Sequence, residues 1–216
     1  MDSTKPFILV FTSRYSHFVS GVRDFPKREF CSRQELREWL NANHASADTF
    51  WLVSFKKHVT DRYVPYGDIV EELLCYGWID TRTRRLDEDR TMYLVAPRQA
   101  GSSWSASNKK RVAKLEKTRR MQPAGRQKID AAKRDGSWNY LDDIENLVIP
   151  EDLSDALQEN KTAEKEFDAF NKSAKKVILL WIKTAKRSDT RAKRVSETVR
   201  LAARGLKAAH PEARGQ

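Results

Sequence analysis

Thr91-Met92-Tyr93-Leu94-Val95-Ala96 runs into Pro97-Arg98-Gln99-Ala100-Gly101-Ser102-Ser103-Trp104-Ser105, and Ala106-Ser107-Asn108-Lys109-Lys110-Arg111 runs out of it. The first six residues are β-branched, aromatic and apolar, which predicts a strand. Pro97 ends it. Ser105 stands where a helix N-cap belongs, and the following basic stretch, with Val112 and Leu115 on one face, reads as a helix to about Arg119. The chain changes character here, from mixed strand and helix before the loop to helix alone after it.

Upstream, Ser32-Arg33-Gln34-Glu35 is a capping box, and Leu36, Trp39 and Leu40 follow at helical spacing to about Asn43. Phe50 to Lys56 reads as a strand. Asp68 to Tyr76 reads as a helix with Ile69, Val70, Leu73 and Leu74 inward and Gly77 as its stop. Trp78-Ile79-Asp80 leaves that helix, followed at once by Arg82, Arg84 and Arg85. Phe7 to Phe11 is a further strand candidate, and Ser20-Gly21 and Phe25-Pro26 read as loop.

Downstream, Pro123 suits the first turn of a helix that stops at Gly136. Pro150 opens another, with Leu153, Ala156 and Leu157 inward. A break falls near Asn160, a buried helix covers Val177 to Ile182, and a last helix runs from Ser188 or Asp189 towards Gly205. The expected fold class is α+β: a small, mostly antiparallel sheet with helices in the N-terminal half, then an all-helical C-terminal half. Expected boundaries are residues 1–27 as an extension or edge strand, 28–105 as an α+β module, 106–208 as a helical module packed on it, and 209–216 as a tail.

The chain has 216 residues and a formal net charge of +11, which favours anionic partners. Charge also alternates by segment: Lys109 to Arg134 and Lys172 to Lys207 are basic, and Asp142 to Asp168 is acidic. Neighbouring helices of opposite sign would pack well, so much of the surplus has a structural reading. Cys31 and Cys75 form no framework and no CxxC pair, which suits free thiols in a reducing compartment. The longest apolar run, Val177 to Ile182, is far short of a membrane span. Phe7 to Phe11 is too short for a secretory signal. A cytoplasmic protein is expected. In a eukaryote the run from Lys186 to Arg194 would also suit nuclear import.

The loop combines three features that hold an anion: free N–H groups at a helix start, the fork of Arg98, and Trp104 as a stacking face. Ser103, Ser105 and Asn108 add polar groups. A purely structural reading stays open, with serines that only cap, Trp104 in the core, and Arg98 paired with Asp80 or Asp87. Asp80, between Trp78 and Arg82, is a candidate general acid or base, or an ordinary ion-pair partner. His17, His44, His58 and His210 are scattered without ligand spacing, so no metal is expected. No GxGxxG, GxxxxGK[ST] or GxSxG occurs, and no cofactor is expected.

An ordered set of motifs resembles the YdeI/OmpD-associated family. It comprises Ser32…Glu35-Leu36-Arg37-Glu38-Trp39-Leu40, Tyr76-Gly77-Trp78-Ile79-Asp80, Pro97-Arg98…Ser103-Trp104-Ser105…Asn108-Lys109…Arg111-Val112, Met121-Gln122-Pro123-Ala124-Gly125, Ala131-Ala132-Lys133…Asp135-Gly136…Trp138, Val148-Ile149-Pro150, and Thr184-Ala185-Lys186-Arg187…Arg194-Val195. The resemblance implies a small cytosolic α+β protein whose family name is linked to bacteriocin protection and stress tolerance, with no reaction attached. The chain departs from the family at Thr81 and Arg119, where glycine is usual, and at Val95, near which an aromatic residue is common.

From these readings the expected function is binding of an anionic, partly planar small ligand by Trp78, Asp80, Arg82, Arg98, Ser103, Trp104, Ser105 and Asn108. The alternatives are a nucleic-acid-binding accessory protein using the basic helices, and an enzyme using Asp80.

Overall fold

The computed structural model describes residues 25–209. The strand expected at Phe7 to Phe11, the loop at Ser20-Gly21, and His17 and His210 lie outside them. The chain divides into two compact units, residues 1–140 and 141–216. The division falls after Tyr140 rather than at Ser105. The helices that follow the loop belong to the first unit, because Val112, Leu115, Ile129 and Ala132 complete the same core as the sheet.

In the first unit the order is β1 (Lys27–Glu29), α1 (Arg33–Asn43), β2 (Phe50–Phe55), α2 (Tyr66–Cys75), β3 (Trp78–Arg85), β4 (Arg90–Pro97), α3 (Ala106–Lys117) and α4 (Pro123–Arg134). The strands form one sheet in the order β1-β2-β4-β3, with β1 parallel to β2 and the other pairs antiparallel. Strand alternation gives the sheet two apolar faces. Phe50, Leu52, Trp78 and Val95 join Leu36 and Leu40 of α1 and Leu73 and Leu74 of α2 in the main core. Trp51, Val53, Met92 and Leu94 form a smaller cluster on the opposite face.

The local signals act where expected. The Ser32 hydroxyl accepts from Glu35 N, and the Glu35 carboxylate reaches back to Cys31 N at 2.8 Å. Gly77 ends α2 with φ +75, a conformation that costs glycine least. Gly125 has a different reason. A Cβ there would lie 2.4 Å from the Cys75 carbonyl oxygen, so only glycine lets α4 rest against the end of α2.

Three acids of α2 organise a charge network. Glu72, fully buried, accepts from Arg33 Nε and Arg120 Nη2 through Oε1 and from Arg37 Nη1 through Oε2, all within 2.7 Å. Glu71 accepts from Arg33 Nη2 and Lys114 Nζ, and Asp68 from Arg33 Nη1. α1, α3 and the α3–α4 turn are thereby tied to α2. Lys114 of α3 therefore has an acidic partner within its own unit.

The second unit holds α5 (Asp142–Glu145), α6 (Glu151–Gln158), α7 (Lys161–Ala169), α8 (Lys172–Lys183) and α9 (Ser188–Ala202) around Leu153, Leu157, Phe167, Ile178, Leu179 and Ile182. Asn160 and Asn171 cap α7 and α8 through their side-chain oxygens. Here acidic and basic segments do pair, through Asp152–Arg191, Asp143–Lys183 and Glu145–Lys176. No helix among the described residues is long and apolar enough to cross a membrane.

Candidate functional site

The loop lies where β4 ends. Arg98 N donates to Gly77 O at 2.9 Å, which fixes the start of the loop to the α2–β3 turn. The Arg98 side chain is 1% exposed. Its guanidinium carbon lies 3.7 Å from the centroid of the Trp104 ring. Nη1 donates to Ser103 O at 3.1 Å and to the Ser102 hydroxyl at 3.2 Å. Nε and Nη2 are buried with no hydrogen-bond partner, and so is Trp104 Nε1. Burial pulls the Arg98 pKa down from its ordinary value to about 10, while the charge of Asp80 acts in the opposite direction.

Ser105 is the N-cap of α3, while the Ser102 hydroxyl donates to Gln99 O at 2.7 Å. Ser105 Oγ accepts from Asn108 N at 3.3 Å, and Asn108 Oδ1 accepts from Arg111 Nη1 at 3.4 Å. Trp104 has no open face for a ligand ring. One face carries Arg98, and Trp138 packs against the indole with centroids 4.9 Å apart. Trp78 is also core. Its Nε1 donates to His44 O at 3.2 Å, and its ring meets Phe50 and Trp39.

Asp80 points into the helix-covered face, opposite Val95, and is 4% exposed. Its Oδ2 accepts from the Tyr66 hydroxyl at 2.7 Å. Arg82 does not join it. The register shifts between Asp80 and Arg82, so Arg82 lies opposite Leu94, whose side chain belongs to the other face. The bulge at Thr81, whose hydroxyl donates to Leu94 O at 3.2 Å, reverses the alternation that would have put Asp80 and Arg82 side by side. Asp87 is no partner of Arg98 either; it caps the β3–β4 hairpin and binds Arg90.

Three residues outside the expected set complete the neighbourhood. Tyr66, at the start of α2, and Tyr93, on β4, have ring centroids 5.1 Å apart. Burial and then Asp80 push the Tyr66 pKa far above the ordinary phenol value, with the charge of Arg111 opposing them. Arg111 is therefore within electrostatic reach of the Tyr66 hydroxyl. Asp80 and Tyr93 on inward strand positions, with Asn108 and Arg111 three apart on one helix, are the pattern by which this group can be read. Among the described residues no group of three or more His, Cys, Asp or Glu is placed to hold a metal ion.

Two family models match the chain. A domain of unknown function matches residues 28–128. The family described as "Bacteriocin-protection, YdeI or OmpD-Associated" matches residues 146–205. No curated protein and no solved structure matches the chain significantly. Over residues 146–205, the larger part of its second unit, the chain therefore carries the signature of the bacteriocin-protection, YdeI or OmpD-associated family.

Proposed function

We propose that the first unit binds a small anionic ligand with a planar part, at the junction of the α2 start, β3, β4 and the 98–108 loop. The observation that carries this is Arg98: a guanidinium 1% exposed, with two N–H donors unpartnered and no carboxylate bonded to it. Desolvating such a charge costs about several kcal/mol, and a bound anion would offset that cost. Arg111, half-buried, supplies a second cation. Trp104 is already engaged on Arg98 and Trp138, so the planar part is assigned to the Tyr66–Tyr93 pair. Reaching Arg98 requires the 99–105 loop to move. That loop is held by Gly101 N donating to Asp135 Oδ2 at 3.1 Å.

A cytoplasmic location and a role in stress or antimicrobial tolerance accompany this reading through the free cysteines and the family name. The alternatives draw less support. Lys114, Arg120 and Arg126 already have acidic partners, which weakens a nucleic-acid face on α3 and α4. For an enzyme, the Asp80 carboxylate is already tied to Tyr66.

The test is thermal unfolding of the full chain with pyrophosphate, nucleoside monophosphates and aromatic carboxylates, on wild type, Arg98→Lys and Arg111→Gln. A binding anion raises the wild-type Tm in proportion to its saturation, and both variants lose most of that rise. Equal stabilisation of all three proteins by every compound would remove the site.

A further inference from the structure

Asp80 and Arg98 occupy the same end of the β3–β4 pair. Asp80 lies opposite Val95, and Arg98 N is bonded to Gly77, the residue before β3. Opposite charges buried at one end of a strand pair are candidates for a hydrogen bond, but this pair makes none. Asp80 Oδ2 accepts from Tyr66, and no other hydrogen bond reaches the carboxylate among the described residues. Arg98 uses Nη1 on the loop oxygens and leaves Nε and Nη2 free. A carboxylate can accept about four hydrogen bonds, so both groups have unused capacity of opposite kind.

The complement of that pair is a ligand presenting acceptors to the guanidinium and donors to the carboxylate. Sulfate or a simple carboxylate has no such donor at neutral pH. Sugar hydroxyls are such donors, and a carboxylate that accepts from them is a common way to hold a ribose. The fork of Arg98 suits the oxygens of a phosphate monoester.

We infer that the ligand is a phosphorylated sugar, its phosphate held by Arg98 and its hydroxyls donating to Asp80. This rests on the anion-binding reading above. The sugar carries a base, the planar part that the Tyr66–Tyr93 pair stacks.

Calorimetric titration of the full chain decides it, with pyrophosphate, ribose 5-phosphate, adenosine 5′-monophosphate and the 2′,3′-dideoxy form of that nucleotide. The expected result is that the dideoxy nucleotide binds at least about tenfold more weakly than the ribonucleotide, the loss of one charge-assisted hydrogen bond. In Asp80→Asn the two bind within about threefold of each other. Ribose 5-phosphate binds more weakly than the ribonucleotide; equal binding would remove the base from the inference. Equal binding of the ribo and dideoxy forms to wild type, with pyrophosphate also bound, would overturn this inference and leave the anion site standing. Discrimination that persists in Asp80→Asn would remove Asp80 from the role. Absence of binding by all four compounds would overturn both readings. The wild-type comparison needs no variant, so poor folding of Asp80→Asn does not shield the inference.

Discussion

The Arg98 guanidinium lies over the Trp104 ring, its central carbon 3.7 Å from the ring centroid, and both residues are 1% exposed. A buried arginine stacked on an indole, bonded to loop oxygens and to no carboxylate, contributes less to stability than its burial suggests. Its desolvation opposes the stacking and the hydrogen bonds.

Arg98→Met tests this. Methionine keeps an apolar contact with Trp104 and removes the buried charge, so stability by urea unfolding should stay within about 1 kcal/mol of wild type. Anion-dependent stabilisation should vanish. A loss of about 3 kcal/mol or more would mean that Arg98 is chiefly a structural clamp.

Glu72 is the opposite case. Arg33, Arg37 and Arg120 converge on one fully buried carboxylate. Glu72→Gln leaves Arg37 and Arg120 without their counter-charge, takes one of three from Arg33, and should cost about 3–5 kcal/mol, read by denaturant unfolding.

Glu71 sets a pH dependence. Burial pushes its carboxyl up, but hydrogen bonds from Lys114 and Arg33 and their charges outweigh burial and hold it below the ordinary 4.5. A folded-state pKa below the unfolded one contributes stability above the unfolded pKa, and that contribution is lost as pH falls through the folded value. Stability should therefore fall on acidification below about pH 4.5. Glu71→Gln should show a shallower fall in an acid titration of Tm.

Gly125→Ala should cost about 2–3 kcal/mol. Its Cβ would lie 2.5 Å from Leu74 O and 2.4 Å from Cys75 O, and a backbone carbonyl cannot turn aside as a flexible side chain can. Chemical unfolding of the variant measures the loss.

Arg119 has φ 55, the left-handed conformation, at the end of α3. Arg119 N bonds Glu116 O and Arg120 N bonds Leu115 O, the Schellman pattern that favours glycine at this position. Arg119→Gly should raise stability by about 1 kcal/mol. An unchanged or lowered Tm would show that the arginine makes up the strain elsewhere.

Much of the fold is legible in local chemistry. The capping box at Ser32, the stop at Gly77, the prolines that open α4 and α6, and the apolar spacing of each helix act within a few residues, so the chain states them directly. The alternation that set Trp78 and Asp80 inward is equally local. What local reading missed depended on partners far away in the chain. The acids at Asp68, Glu71 and Glu72 share one face of α2, but that face is buried only because Arg33, Arg37, Lys114 and Arg120 arrive from other elements.

Sequence alone determined the α+β class, the starts and stops of several helices, and the loop from Pro97 to Ser105 with its arginine, tryptophan and cap; the short strand Lys27–Glu29 and the short helix Asp142–Glu145 were not legible in it. Only the tertiary structure decided which of those groups meet. The bulge at Thr81 turned Arg82 to the other face, packing took both sides of Trp104, and Tyr66, 14 residues from Asp80, came within hydrogen-bond reach of it. Residue type and spacing encode what a side chain can do. Burial and strand register decide which partner it does it with.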